Sequence, residues 1–261
     1  MTPPSRVELP HLDHLVATAC QLSCTACTNA VGFIPQEIYP VDELKAEMDA
    51  AAEVMHTHVL CLLGGEPLVH KGIVELMRHA NASALCDRVQ VLTNGMRLHM
   101  MKDEFWAELD QLKISIYPDR TQPENVQLAK DKAAEYGFFL DFYDVAADPF
   151  RAVHRAEPAS PEVAQATYDG CWYRTFTRKL ERQHVYRCCT SPTISKDIMG
   201  LPPDADGIPL DGLTPDGLRE FLDRPTYMAS CTRCYGNTGP RLGEWSEVRG
   251  DKTRWLAESA R

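Results

Sequence analysis

The stretch that decides the fold is residues 58–67, which read HVLCLLGGEP. Its short apolar run predicts a β-strand covered on both faces, as in a parallel sheet, and the two glycines end that strand in a turn. Strands and amphipathic helices alternate on both sides of this stretch through about residue 145. Such alternation is typical of βαβ units, so the sequence predicts an α/β fold with a parallel sheet.

Five strands are expected in this region, at residues 14–18, 58–63, 88–93, 112–117 and 138–143. The helices between them are predicted at residues 41–55, 71–82, 102–110 and 124–136. Parallel sheets of this kind bind ligands beyond the carboxyl ends of their strands. We therefore expect one mouth to collect the residues at those ends, which are Thr18, Gly64, Gly65, Glu66, Thr93, Asn94, Tyr117, Tyr143 and Asp144.

Composition and charge limit the classes of partner that this chain is expected to bind. The 261 residues carry a formal net charge of −10, which is unfavourable for tracking a phosphate backbone, so no nucleic-acid partner is expected. One basic group stands out and is interpreted as a solvated hairpin: Arg174, Arg178, Lys179, Arg182 and Arg187. The sequence has no signal-peptide pattern and no run of about 18 apolar residues, so we expect a cytoplasmic protein without a membrane partner.

Ten cysteines are unusual for a cytoplasmic chain, where disulfides are rare, and their clustering indicates metal ligation or catalysis. Cys20, Cys24 and Cys27 form a C-x3-C-x2-C motif just after the first predicted strand. Three thiolates on one loop suit a 4Fe–4S cluster whose fourth iron lacks a protein ligand. A structural zinc site is the alternative, but it needs four protein ligands and no fourth is evident nearby. Cys61 and Cys86 stand alone and are interpreted as small buried hydrophobic residues.

The cysteine motif after the first strand, together with Gly64-Gly65-Glu66-Pro67 after the second, resembles the radical S-adenosylmethionine (SAM) superfamily. The resemblance implies a partial (β/α)5-6 barrel in which the first cluster cleaves SAM to a 5′-deoxyadenosyl radical. The Glu66 carboxylate is expected to accept a hydrogen bond from the methionine ammonium. The resemblance assigns SAM contacts to Gly64, Gly65, Glu66, Pro67, Thr93, Asn94 and Ser115.

One position departs from the pattern of that family. The residue before the third cysteine is commonly aromatic and lies against adenine, whereas here it is Ala26. Another aromatic side chain is then needed for the adenine, and Phe33 and Tyr117 are the two candidates.

A second cysteine group lies in the last third of the chain, with Cys171 before a predicted hairpin and Cys188, Cys189, Cys231 and Cys234 after it. This layout resembles the twitch module of radical SAM proteins, a β-hairpin plus helix that holds an auxiliary 4Fe–4S cluster on four cysteines. The resemblance assigns Cys171, Cys188, Cys231 and Cys234 as ligands and leaves Cys189 spare. The opposite assignment of Cys188 and Cys189, and a zinc knuckle on the C-x2-C pair, remain open.

The expected domain plan follows from these two groups. Residues 1–145 form the barrel core, residues 146–169 a linker or lid, and residues 170–261 the twitch module and C-terminal tail. In layout the chain resembles radical SAM dehydrogenases that oxidise 2-deoxy-scyllo-inosamine. That resemblance implies hydrogen abstraction from a small hydroxylated or amino-sugar-like metabolite, and an external electron donor such as flavodoxin or ferredoxin.

The remaining candidates concern the reaction itself. Asp144, Arg151, His154 and Arg155 are candidates for proton handling and substrate contact. Cys189 is the candidate hydrogen-atom donor if the enzyme is instead an epimerase of a sugar or peptide residue. A peptide maturase is a third alternative, although such enzymes often carry a leader-binding domain and the segment before Cys20 is expected to be too short for one.

Overall fold

A computed structural model describes residues 5–248 and 252–259 of the chain. The described strands are β1 Val7–Leu9, β2 His11–Ala17, β3 Met55–Gly64, β4 Cys86–Thr93, β5 Gln111–Ile116, β6 Phe139–Asp144, β7 Thr177–Glu181, β8 His184–Tyr186 and β9 Gly207–Pro209. The described α-helices are α1 Val41–Val54, α2 Ile73–Ala82, α3 Asp103–Ala107, α4 Pro123–Tyr136, α5 Pro161–Asp169, α6 Tyr173–Phe176, α7 Pro215–Leu222 and α8 Lys252–Ser259.

The strands form one mixed sheet in the order β6-β5-β4-β3-β2-β7-β8-β9. All neighbours from β6 to β7 are parallel, while β8 and β9 are added antiparallel. Strand β1 also pairs with β3. It lies just before β2 in the chain and continues the register in which β2 pairs with β3. Pro10 lies between β1 and β2, and because proline has no backbone N–H it interrupts what is otherwise one continuous edge of pairing.

The core lies between the sheet and the helices on its outer face. Leu60 and Leu62 on one face of β3 are fully buried and Cys61 on the other face is 1% exposed, as the apolar run predicts for a strand covered on both faces. From the helices, Leu44, Met48 and Leu76 pack onto this face. The fold is the mixed α/β architecture with a parallel barrel-like sheet that the sequence predicts.

The five predicted strands are all present, but the first begins earlier than the sequence indicates. Residues 11–14 of β2 pair with residues 177–180 of β7, so the strand extends back to His11 rather than starting at residue 14. The partner strand β7 lies far along the chain from β2, so no local sequence pattern predicts this pairing. The strand β7 belongs to the expected hairpin after Cys171, yet it also extends the parallel sheet beside β2.

In two further segments the structure adds to or corrects the sequence interpretation. Residues 161–169 of the expected linker form helix α5, where the Ser160 hydroxyl accepts a hydrogen bond from Val163 N as an N-cap. The basic group does lie around a hairpin, formed by β7 and β8, and Arg182 is exposed, but the group is not solvated throughout, because Lys179 is fully buried and Arg187 is only 6% exposed. The Arg187 guanidinium donates to the hydroxyl of Tyr168 and to nearby backbone carbonyls instead of facing water.

Residues 1–4, 249–251 and 260–261 of the expected domains lie outside the described residues. Among the helices that are described, none is both long and apolar enough to cross a membrane.

Candidate functional site

A cavity of about 440 Å³ opens at the carboxyl ends of the parallel strands. The loop after β2, the turn after β3 and the ends of β4, β5 and β6 all contribute to it, as expected for a parallel α/β sheet. Most of the sequence-predicted site residues line this one cavity: Cys20, Cys24, Cys27, Gly64, Gly65, Thr93, Asn94, Ser115 and Arg151.

The loop that carries the first three cysteines is held in place by hydrogen bonds with the C-terminal part of the chain. Thr25 N donates to Ser246 O at 3.0 Å, and Trp255 Nε1 donates to Cys24 O at 2.9 Å. Within the loop, Ala26 has a positive φ of 58°, which places its backbone in the left-handed region between the second and third cysteines. The small side chain at position 26 therefore accompanies an unusual backbone turn and is itself buried.

The three thiols of this loop are free and desolvated. Burial raises the pKa of Cys20 to about 12 and raises the pKa of Cys24 and Cys27 as well. Asn94 Nδ2 lies 3.7 Å from Cys20 Sγ and donates to it. Buried thiols of this kind become thiolates only when a cation is bound nearby, so the donor set suits a soft metal.

The thiols of the first group are spaced more widely than the ligands of a single zinc ion. Zn–S bonds of about 2.3 Å place the sulfurs around one zinc about 3.8 Å apart. Among the described residues, no three cysteine sulfurs all lie within 4.8 Å of one another, in either cysteine group. As they stand in the structure, the sulfurs of the first group are not gathered as closely as around one zinc ion.

The two glycines after β3 are required by a close approach of two backbones. A Cβ at Gly64 would lie 2.1 Å from Ala17 O, and one at Gly65 would lie 2.4 Å from Ala19 O. The turn is also tied to the cysteine loop, because Asn29 Nδ2 donates to Gly64 O at 2.8 Å. Asn29 in turn accepts a hydrogen bond of 3.0 Å from Nζ of the buried Lys179 on β7.

Glu66 does not present its carboxylate to the cavity as the sequence analysis expected. Its side chain is fully buried and accepts hydrogen bonds from Leu68 N at 2.9 Å, Thr93 Oγ1 at 2.6 Å and Asn94 N at 2.8 Å. Burial raises the pKa of this carboxyl, and the three donors oppose that shift. Glu66 therefore joins the turn after β3 to the end of β4, and the neighbouring Pro67 begins a buried 3-10 turn.

Of the two candidates for holding adenine, Tyr117 lines the cavity. Its ring lies 5.4 Å from the ring of Trp245 and 6.1 Å from that of Phe150. Phe33 lies instead in the small apolar cluster around Trp255, at a ring distance of 5.8 Å.

The second cysteine group surrounds a separate cavity of about 20 Å³. Cys171, Cys188, Cys231 and Cys234, the four cysteines expected to be ligands, all line it. The thiol of Cys189 hydrogen-bonds to that of Cys188, and this bond, with further donors from residues 190 and 191, lowers the pKa of Cys188. Tyr173 and Gly236 line both cavities, so they separate the two cysteine groups.

The other candidates for the reaction are spread more widely. Arg151 lines the main cavity and donates to Gly239 O at 3.0 Å. Asp144 closes a turn by accepting from Ala146 N, outside the cavity-lining residues that the structure describes. Cys189 also lies outside the described lining of both cavities.

Two further candidates, His154 and Arg155, lie near the cysteine groups but outside the main cavity's described lining. His154 is fully buried, and burial lowers the pKa of its ring to about 4, a shift that a hydrogen bond with the backbone of Cys27 opposes. Arg155 Nε donates to Cys234 O at 2.9 Å, and its guanidinium lies over the ring of Tyr235. Sequence reasoning missed six polar or aromatic side chains that line the main cavity: Thr28, Asn29, Asp148, Phe150, Tyr173 and Asn237.

Comparison with known proteins agrees with this geometry. Residues 15–134 match the family model described as the radical SAM superfamily. Over 103 residues the chain is 33% identical to GTP 3',8-cyclase of Chlorobaculum tepidum, which covers 39% of this chain and 31% of that protein. Over 94 residues it is 34% identical to GTP 3',8-cyclase of Pelotomaculum thermopropionicum, with 35% and 29% covered. The chain thus spans about a third of the length of the curated relatives it matches.

Solved structures extend the likeness in fold to most of the chain. The structure of BtrN in complex with AdoMet and 2-DOIA superposes with a TM-score of 0.54 at 10% identity, covering 87% of this chain and 86% of that one. The structure of hexahistidine-tagged anSMEcpe with bound AdoMet superposes with a TM-score of 0.52 at 13% identity, covering 97% and 95%. With the cysteine loop and the glycine turn at the mouth of a parallel sheet, the matched segment, residues 15–134 or a little under half of the chain, is similar to the radical SAM superfamily.

Proposed function

We propose that this protein is a radical SAM oxidoreductase that holds one 4Fe–4S cluster on Cys20, Cys24 and Cys27 and binds SAM in the 440 Å³ cavity. The observation that carries the proposal is that the three thiols, the Gly64-Gly65 backbone and the end of β4 line the same cavity. When bound, the cluster and SAM together supply a 5′-deoxyadenosyl radical that removes a hydrogen atom from the substrate.

The residues of the chain itself would bind and orient these groups. The Gly64 and Gly65 backbone can approach a ligand closely because neither residue carries a Cβ. Glu66 acts as a positioning residue that fixes Thr93 and Asn94 against the turn. Tyr117, which lies between other aromatic rings at the cavity wall, would hold the adenine in place of the aromatic residue missing at position 26.

The second cysteine group is proposed to hold an auxiliary 4Fe–4S cluster in a twitch-type module that begins near residue 170. Support comes from the four cysteines that surround one small cavity. Cys188, rather than Cys189, lines this cavity. Residues 1–145 would then be the barrel core, and residues 146–169 would connect the two parts.

The proposed substrate is a small hydroxylated or amino-sugar-like metabolite. Tyr143, Asp148, Arg151 and Asn237 give the cavity wall both aromatic faces and polar groups that suit a polyol or an amine. BtrN, which shares the fold, was solved with AdoMet and 2-DOIA, and this favours a cyclitol-type substrate. Dehydrogenation of a carbinol removes a hydrogen atom, a proton and one further electron, and the second cysteine group adjoins the cavity where that electron is released.

Epimerisation, with Cys189 as hydrogen-atom donor, has less support. The Cys189 thiol lies outside the described lining of the SAM cavity and is hydrogen-bonded to Cys188. A thiol that donates a hydrogen atom to a substrate radical needs direct access to that radical. The geometry therefore favours dehydrogenation over epimerisation, and the described lining of the cavity offers no feature specific to a peptide.

Product analysis tests the proposal. The reconstituted protein is incubated without oxygen with SAM, reduced flavodoxin or ferredoxin, and a panel of aminocyclitols and polyols in deuterated water. We expect 5′-deoxyadenosine in equal amount to a product that has lost two hydrogens. A product of unchanged mass apart from solvent deuterium would instead establish epimerisation, and 5′-deoxyadenosine that no panel member stimulates would contradict the substrate class.

A further inference from the structure

A separate candidate metal site lies inside the barrel, one layer below the SAM cavity. His11, Asp13 and Cys61 each offer one donor atom, a ring nitrogen, a carboxylate oxygen and a thiol sulfur, and these three atoms all lie within 4.8 Å of one another. The His11 and Asp13 atoms are 3.0 Å apart. The thiols of the two cysteine groups are not gathered this closely anywhere in the described ranges.

The sheet register brings these three side chains together. Asp13 of β2 is the direct partner of Cys61 on the neighbouring parallel strand β3. His11 precedes Asp13 by two residues and so lies on the same face of β2. Cys61 likewise precedes Leu63, which lines the SAM cavity, by two residues. Cys61 and Asp13 therefore lie about 7 Å along the strands from that cavity, and His11 lies two residues further along β2.

Packing and access both suit a metal site. The ring of His11 stacks on Phe176 of α6 at 5.2 Å, which fixes its plane. Cys61 is 1% exposed, whereas the His11 and Asp13 side chains are 13% and 11% exposed, so an ion can enter from their side. A fully buried thiol beside a carboxylate is unfavourable as an anion, and a bound cation removes that penalty.

We propose that His11, Asp13 and Cys61 bind one divalent cation of the zinc class, distinct from the iron of either cysteine group. Imidazole nitrogen, carboxylate oxygen and thiolate sulfur are the three ligand types that zinc accepts. They fill three positions of a tetrahedral site, and the fourth is left for water or another ligand. On binding, Cys61 releases its thiol proton to solvent and coordinates as the thiolate.

Cobalt(II) is the probe, because it occupies zinc sites and its bond to a thiolate gives a charge-transfer absorption band. Cluster-reconstituted protein is titrated with cobalt(II) without oxygen, and its iron content is measured before and after. Wild-type protein should take up one equivalent with the thiolate band, while the iron content stays unchanged. Cys61→Ala should lose the band, and Asp13→Asn and His11→Gln should raise the Kd for cobalt at least about tenfold.

Cys86→Ala is the matched control, because Cys86 is a partly buried lone thiol at the start of β4, away from the group. It should bind cobalt as the wild type does. A wild type without the thiolate band, or a band that persists in Cys61→Ala, would overturn the proposal. Iron content reports on the cysteine clusters independently of cobalt. If the proposed function fails, the iron is missing, but the comparison of cobalt binding by the wild type and by Cys61→Ala still tests the cobalt site.

Discussion

Thr93 Oγ1 donates a hydrogen bond of 2.6 Å to Glu66 Oε1, and this bond joins the ends of two adjacent strands at the mouth of the barrel. The same carboxylate accepts from Leu68 N and Asn94 N, so every contact it makes is with a donor. Glu66 lies within the Gly-Gly-Glu-Pro segment that resembles a ligand-binding motif. Its carboxylate is buried and holds the ends of two strands together at the mouth of the barrel.

Replacing Glu66 by glutamine therefore tests a positioning role. In Glu66→Gln the amide NH2 must face at least one backbone N–H or hydroxyl donor, which leaves a buried donor unpaired. We expect the free energy of unfolding to fall by about 1–3 kcal/mol. Chemical denaturation measures this loss, with Glu53→Gln on the exposed face of α1 as a control that should match the wild type. Equal stability of the Glu66→Gln variant and the wild type would show that this network does not support the mouth.

The close backbone approach at Gly64 gives a second prediction. In Gly64→Ala the new methyl would lie 2.1 Å from Ala17 O, so the turn after β3 must move away from the cysteine loop. We expect the free energy of unfolding to fall by about 1–3 kcal/mol and SAM binding to weaken. Denaturation and equilibrium dialysis with SAM measure the two effects. In the control Gly243→Ala the methyl meets nothing within 4 Å, and it should change neither quantity.

The buried ion pair behind the site gives a third prediction. Lys179 Nζ lies 3.0 Å from Asn29 Oδ1 and 3.3 Å from Glu181 Oε2, and the side chain is fully buried. Lys179→Met removes one partner of a buried pair and should lower the free energy of unfolding by about 3–5 kcal/mol. Lys132→Met breaks only ion pairs at the surface, so it should leave the free energy of unfolding nearly unchanged in the same denaturation assay. A small effect at Lys179 would mean that Lys196 alone satisfies Glu181.

The adenine assignment gives a fourth prediction. Tyr117→Ala removes an aromatic wall of the cavity, and because aromatic pairs contribute about 0.5–1.5 kcal/mol, the Kd for SAM should rise about three- to tenfold. Phe33→Ala should leave the Kd close to that of the wild type, since Phe33 packs around Trp255. Equilibrium dialysis on the reconstituted variants separates the two, and the reverse ranking would favour Phe33.

Much of the fold could be predicted from local patterns. The apolar run ending at Gly64 indicated a parallel strand, and strand-end residues such as Asn94 and Ser115 do meet at one cavity. Helix α5 could also have been predicted, because Ser160-Pro161 is a typical helix start. The pairing of β2 with β7 could not, since it joins residues more than 160 positions apart and depends on the closed tertiary structure.

The roles of individual side chains were harder to predict than their positions. Glu66 belongs to the motif, but its carboxylate accepts hydrogen bonds from within the protein, because three donors from the turn and from the end of β4 surround it. Cys61 looked like a core hydrophobic residue, and only the register with Asp13 reveals its polar neighbours. Trp255 has no motif at all, yet its indole N–H holds the backbone of Cys24.

The central claim is that Cys20, Cys24 and Cys27 hold the cluster that cleaves SAM. The most direct test is iron content and 5′-deoxyadenosine formation after anaerobic reconstitution, in the wild type and in the variant Cys20→Ala/Cys24→Ala/Cys27→Ala. We predict about eight iron atoms per chain in the wild type and about four in the variant, with 5′-deoxyadenosine formed by the wild type alone. Zinc in place of iron in the wild type, or SAM cleavage that survives in the variant, would contradict the account.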